Sequence, residues 1–62
     1  MNNIKSLRET RQLSQQDLAE RAHISVGQLS RIECGHNIPT RLTAESLARV
    51  LKVKVAELGL GE

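Results

Sequence analysis

The sequence contains no phenylalanine, tyrosine or tryptophan. Any folded core must therefore be built from Leu, Ile, Val and Ala. The same lack removes the aromatic platforms on which readers of single-stranded nucleic acid stack bases, so a nucleic-acid partner is expected to be a duplex. A single cysteine, Cys34, excludes an internal disulfide framework. No apolar run approaches the roughly 20 residues of a membrane span, and residues 1–6 show no secretory leader. These absences point to a reducing cytoplasm. There is one proline, Pro39, and the only candidate joint, 35–39, is too short for a domain linker. Residues 1–62 are therefore expected to be one domain. A chain this short buries only about 60% of its unfolded surface, which leaves little core from which to carve a substrate cleft.

What is present is globular in character, with 39% apolar and 26% charged residues. Nine cations face seven acids, a net charge of +2, and six of the nine are arginine. So mild a basic balance permits DNA binding without requiring it.

Apolar spacing predicts helices throughout. Ile4, Leu7, Arg8 and Arg11 fall at helical intervals, giving a first helix over about 3–11. Ser14 and Asp17 have the spacing of a capping box. Leu18, Ala19 and Ala22 follow on one face, giving a second helix over 15–22. Ser25 and Gln28 repeat the cap signal, and Leu29 and Ile32 carry a third helix to about 34, with Gly35 suited to a left-handed cap. Ala44, Leu47, Ala48 and Leu51 define a fourth, capped by Thr40 or Thr43. Residues 52–55 alternate like a strand, but a lone strand has no partner, so 55–58 is read as a short fifth helix.

The informative stretch is 15–32. Two helices separated by little more than His23 and Ile24 must cross steeply and share one small core. That leaves one face of the third helix outside, carrying Val26, Gly27, Gln28, Ser30, Arg31 and Cys34. No acid sits on it, and Gln and Arg are the side chains that read adenine and guanine edges in a major groove. Gln15 and Ser25 stand at helix N-termini, where free N–H groups favour anions. Gln and Ser are also ordinary surface and cap residues, and it is the two-helix geometry that favours the binding reading. Inside, Glu33 shares the stripe of Leu29 and Ile32, and Arg8 that of Ile4 and Leu7. A buried unpaired charge is costly, so Arg8 and Glu33 are expected to form a structural salt bridge; the alternative is that both snorkel to solvent.

Residues 14–22 (SQQDLAERA), Ile24 and Ser25, residues 29–33 (LSRIE), Gly35, Pro39, Leu47, Ala48 and residues 51–53 together resemble the lambda-repressor/Cro, or XRE-type, helix-turn-helix domains. The resemblance covers about residues 4–58. It implies an all-α, compact five-helix lambda-repressor-like fold, with the helix-turn-helix formed by the second and third helices and the third in the major groove. By position, it implies phosphate contacts from Gln15, Ser25, Asn37 and Arg41. Val26, Gly27, Gln28, Ser30 and Arg31 would face the bases. It also implies a homodimer on a palindromic double-stranded DNA operator, held through the region of the fifth helix, and an arginine–glutamate pair where Arg8 and Glu33 stand. Four positions depart from the pattern. His23 and Gln12 replace glycines, Gly27 lacks a base-reading side chain, and Lys54 is a poor cap. Readout then shifts to Gln28 and Arg31, with Val26 against a thymine methyl.

Other chemistry has little footing. His23, Cys34 and His36 match no standard zinc spacing, and no cofactor is implied. No nucleophile–base–orienter set or phosphate-cradling glycine loop is present, so an enzyme is not expected. Val50, Val55, Leu58 and Leu60 exceed what a small core needs, and are expected to form a dimer patch. The leading expectation is a dimeric transcriptional regulator, most often a repressor. The alternative is an antitoxin-like interaction module that neutralises a partner toxin and binds DNA secondarily. A third is the DNA-binding part of a longer protein with a sensor domain.

Overall fold

Three hydroxyl side chains set where helices begin. The computed structural model describes residues 2–60; Met1, Gly61 and Glu62, the ends of the expected domain, lie outside the described residues. Within it are α1 (Ile4–Thr10), α2 (Gln15–Ala22), α3 (Val26–Glu33) and α4 (Arg41–Leu51), followed by a 3-10 helix at Val55–Leu58. Ser14 opens α2 with a full capping box: its hydroxyl accepts from the Asp17 N–H at 3.0 Å, and the Asp17 carboxylate accepts from the Ser14 N–H at 3.2 Å. The Ser14 backbone N–H, and then its hydroxyl, hold the Asp17 carboxyl below its ordinary pKa. Ser25 makes only half of the second box, accepting from the Gln28 N–H at 3.0 Å. Thr40, not Thr43, caps α4. At α1 the residue before the N-cap Asn3 serves, with Asn2 Oδ1 accepting from the Ile4 N–H at 3.0 Å.

All four α-helices end in the same way. Gln12, His23, Gly35 and Lys52 have positive φ, between 57° and 83°. The next residue in each case, Leu13, Ile24, His36 or Val53, donates its N–H five residues back, to Arg8, Ala19, Arg31 or Ala48. This is the Schellman closure. Leu13, Ile24 and Val53 also supply its apolar contact, since each packs against the core. Three of the four left-handed positions hold residues with a Cβ, where glycine is favoured.

The fifth element differs from expectation: it is one turn of 3-10 helix, not an α-helix. Lys54 has no acceptor to offer as a cap, so only the returning contact forms, from the Lys54 N–H to Glu57 Oε2 at 3.0 Å. Gly59, at φ 66°, ends it after four residues. Among the described residues there is no strand, and no helix is long and apolar enough to cross a membrane.

The core is aliphatic, as the absence of aromatics requires: Ile4, Leu18, Ala19, Ala22, Leu29, Ile32, Ala44, Leu47, Ala48, Leu51 and Leu58. Leu58 corrects the expected dimer patch. It is fully buried, with 0% of its surface exposed, and burying a leucine contributes about 1.5–3 kcal/mol. The 3-10 turn exists to deliver it to the core, and the N-terminus secures that turn. The Asn3 N–H donates to the Leu58 carbonyl at 2.8 Å, and Asn3 Nδ2 to the Glu57 carbonyl at 3.2 Å. Val50 and Leu60 are half-buried against the same core, and Val55 stays 40% exposed.

Arg8 and Glu33 do pair. Arg8 Nε donates to Glu33 Oε2 at 2.7 Å and Nη2 to Oε1 at 3.3 Å, with only 10% and 3% of the two side chains exposed. Arg8 Nη1 also donates to the Leu13 carbonyl at 2.9 Å. Hydrogen bonding to Glu33 raises the Arg8 pKa against the opposing effect of burial. The pair thus joins α1, the α1–α2 joint and the end of α3.

Two substitutions test these assignments. Arg8→Met strands the Glu33 carboxylate and should cost about 3–5 kcal/mol, while the double change Arg8→Met with Glu33→Leu should regain most of it. Urea titration at neutral pH measures both, and a single-variant loss under about 1 kcal/mol would show a solvent-screened pair. Lys52→Gly should stabilise by about 0.5–1 kcal/mol by relieving the left-handed position; a fall in Tm would contradict that conformation.

Candidate nucleic-acid interface

A short joint and a two-sided helix build the candidate surface. After α2 closes on His23, the Ile24 N–H donates to the Ala19 carbonyl at 2.9 Å. The side chain of Ile24 packs on the core, and Ser25 at once caps α3. Only residues 23–25 separate the helices. Leu29, Ile32 and Glu33 are the buried residues of α3. The opposite side is open. Val26 is 42% exposed, Gly27, Gln28, Arg31 and Cys34 are exposed, and Ser30 is half-buried. Gln28 and Arg31 point outward, and neither side chain has a partner among the described residues. An α-helix with its side chains is about 10–12 Å across, the width that a DNA major groove admits. An added Cβ at Gly27 meets nothing within 4 Å, so the fold leaves room for a side chain there.

The residues expected at phosphates are dispersed around α3. Ser25 is exposed with its hydroxyl oxygen occupied by the Gln28 N–H, which leaves the hydroxyl proton to donate. Asn37 is exposed in the loop between α3 and α4. Arg41 opens α4 and reaches Glu45 at 3.3 Å, an exposed pair one helical turn apart. Such pairs hold weakly and exchange readily for another anion. Gln15 differs from the others. It is half-buried, and its Nε2 donates to Glu33 Oε1 at 3.0 Å. The signal for this was in the sequence, because Gln15 shares the helical stripe of Leu18, Ala19 and Ala22.

Sequence reasoning missed other features. Asn2 Nδ2 donates to the Ile32 carbonyl at 2.7 Å, clipping the N-terminus to the end of α3. No periodicity announces such a bond. Ile38 and Leu42 stand 80% and 76% exposed around Pro39 and the start of α4. Arg11, Leu13, Arg21, Val50 and Lys52 line a shallow recess of about 210 Å³. Its three cations sit at or just beyond the C-terminal ends of α1, α2 and α4, where they complement the helix dipoles. Cys34 is a free, exposed thiol, and no cluster of metal-ligating side chains exists among the described residues.

Comparison with known proteins gives one result that bears on identity. A family model described as helix-turn-helix matches residues 4–58. No curated protein and no solved structure matches the chain. The matched span runs from the first residue of α1 to the last of the 3-10 turn, and includes both helices of the tight elbow. The chain belongs to the helix-turn-helix family of the Cro/C1, or XRE, type, a family of DNA-binding transcription regulators.

Proposed function

We propose that this domain reads a specific duplex DNA sequence as a dimeric repressor on a palindromic operator, with α3 in the major groove. The observation that carries the reading is the orientation of Gln28 and Arg31. Both project, with no side-chain partner among the described residues, from a helix whose other side is anchored in the core. The one acid of α3, Glu33, is buried and paired, so no carboxylate of this helix opposes DNA. Arg pairs bidentately with guanine and Gln with adenine. Val26 offers an apolar contact to a thymine methyl, Gly27 a close approach, and Ser30 a shorter reach. Ser25, Asn37, Arg41 and Gln15 would hold the phosphates, fixing register without reading sequence.

One such module buries too little surface for tight specific binding, which favours a dimer. With Leu58 in the core, the proposed patch narrows to Val55, edged by Val50 and Leu60. A second reading, a module that neutralises a partner protein and binds DNA secondarily, has one observation on its side. Ile38 and Leu42 are two large apolar side chains left open to solvent.

Selection from random duplexes tests the choice. The expected product is a palindrome with half-sites about one helical turn apart; no enriched motif at low or moderate salt would favour the protein-partner reading. On the selected site, Arg31→Ala should weaken binding by about 1–3 kcal/mol while leaving non-specific binding largely intact. Equal loss on every sequence would contradict base readout by Arg31.

A further inference from the structure

Gln15 opens α2, yet its side chain is already engaged. Glu33 Oε1 receives Gln15 Nε2 at 3.0 Å and Arg8 Nη2 at 3.3 Å, while Oε2 receives Arg8 Nε at 2.7 Å. An ionised carboxylate only accepts, so the Gln15 amide must turn its nitrogen, not its oxygen, toward Glu33. A glutamine amide left to itself turns over freely about its last torsion. Half of its orientations then offer a phosphate an oxygen, which repels it. The NH2 group carries two N–H bonds about 120° apart, so one nitrogen can bridge two anionic acceptors.

We infer that Glu33 is a positioning residue for DNA binding: by taking one N–H of Gln15, it fixes the amide so that the other is presented to a backbone phosphate. The inference rests on the reading of Gln15 as a phosphate contact. It gives the last residue of α3 a second role. The residue that anchors the recognition helix also orients the clamp at the start of α2. Arg8 offsets the carboxylate's charge, so Glu33 can stand behind a phosphate contact without opposing the DNA.

The test is a cycle of variants measured on specific and non-specific duplexes. Replacing the pair together, Arg8→Met with Glu33→Leu, removes the acceptor for Gln15 without altering net charge. Both this double variant and Gln15→Ala should weaken binding to all duplexes by roughly five- to tenfold, the weight of one hydrogen bond. Combining all three changes should cost nothing further. Independent, multiplying losses would overturn the inference, as would wild-type affinity in either the double variant or Gln15→Ala. The wild-type domain gives a second readout that needs no variant to fold. Its Gln15 side-chain amide protons should exchange with solvent more slowly than those of exposed Gln16, and DNA should shift one of them while the other stays. Equal exchange, or release from Glu33 on adding DNA, would also overturn it. The selected motif and its dependence on Arg31 do not pass through Gln15, so they would survive that result. If the wild-type domain bound no duplex, the functional reading and this inference would fall together.

Discussion

The ion pair between Arg8 and Glu33, together with the buried Leu29 and Ile32, fixes which side of α3 faces out. Compared with apolar residues of similar shape, a buried pair seldom adds net stability. Here its effect is geometric. Glu33, Leu29 and Ile32 form the inward stripe, and Arg8 receives the carboxylate through two nitrogens while its third holds the Leu13 carbonyl. Turning α3 by one residue, about 100°, would pull Glu33 off Arg8 and bury a different set of side chains. The outward phase of Gln28 and Arg31 is thus coupled to a contact on the opposite side of the helix. Among the described residues, no buried side-chain polar atom lacks a partner, so the network meets the condition under which buried charge is tolerated.

The helix ends reinforce that phase. Each Schellman closure reverses the chain within a few residues, and three of the four drop an apolar side chain into the core, at Leu13, Ile24 and Val53. Three of them do so through Gln12, His23 and Lys52, residues that resist the left-handed conformation. The surrounding packing holds them there. A chain with few glycines therefore still makes the short joints that a steep crossing of α2 and α3 needs.

Much of this was legible in the sequence, and the failures have physical causes. Stripes of aliphatic residues gave α2, α3 and α4 and set Arg8 against Glu33, because a charge on an inward stripe needs a partner. Leu58 is expected in a dimer patch because it exceeds what a small core needs, yet this core takes it in. Without aromatic rings, more aliphatic side chains are needed to fill the same volume, and the 3-10 turn supplies one. Gln15 is expected at a phosphate from its place at a helix N-terminus, but it also stands on the inward stripe of α2, and that periodicity brings it to Glu33. The Asn2 clip onto Ile32 joins residues 30 apart in sequence, and a side-chain bond to a distant carbonyl leaves no local trace.

Gly27 presents the reverse case, a residue the fold does not explain. Glycine in a helix interior costs about 1 kcal/mol relative to alanine; Gly27 stands in the first turn of α3, where part of that cost applies, and small domains have little margin to absorb it. Packing does not require it, since an added Cβ would meet nothing within 4 Å. Nor does backbone conformation, because Gly27 is not among the positive-φ glycines. What a missing Cβ provides on an open face is closeness: a surface outside the chain can approach the backbone of α3 beside Gln28. A helix weakened at that point, and held firmly from behind by an ion pair, fits a face whose shape answers to a partner and not to the core.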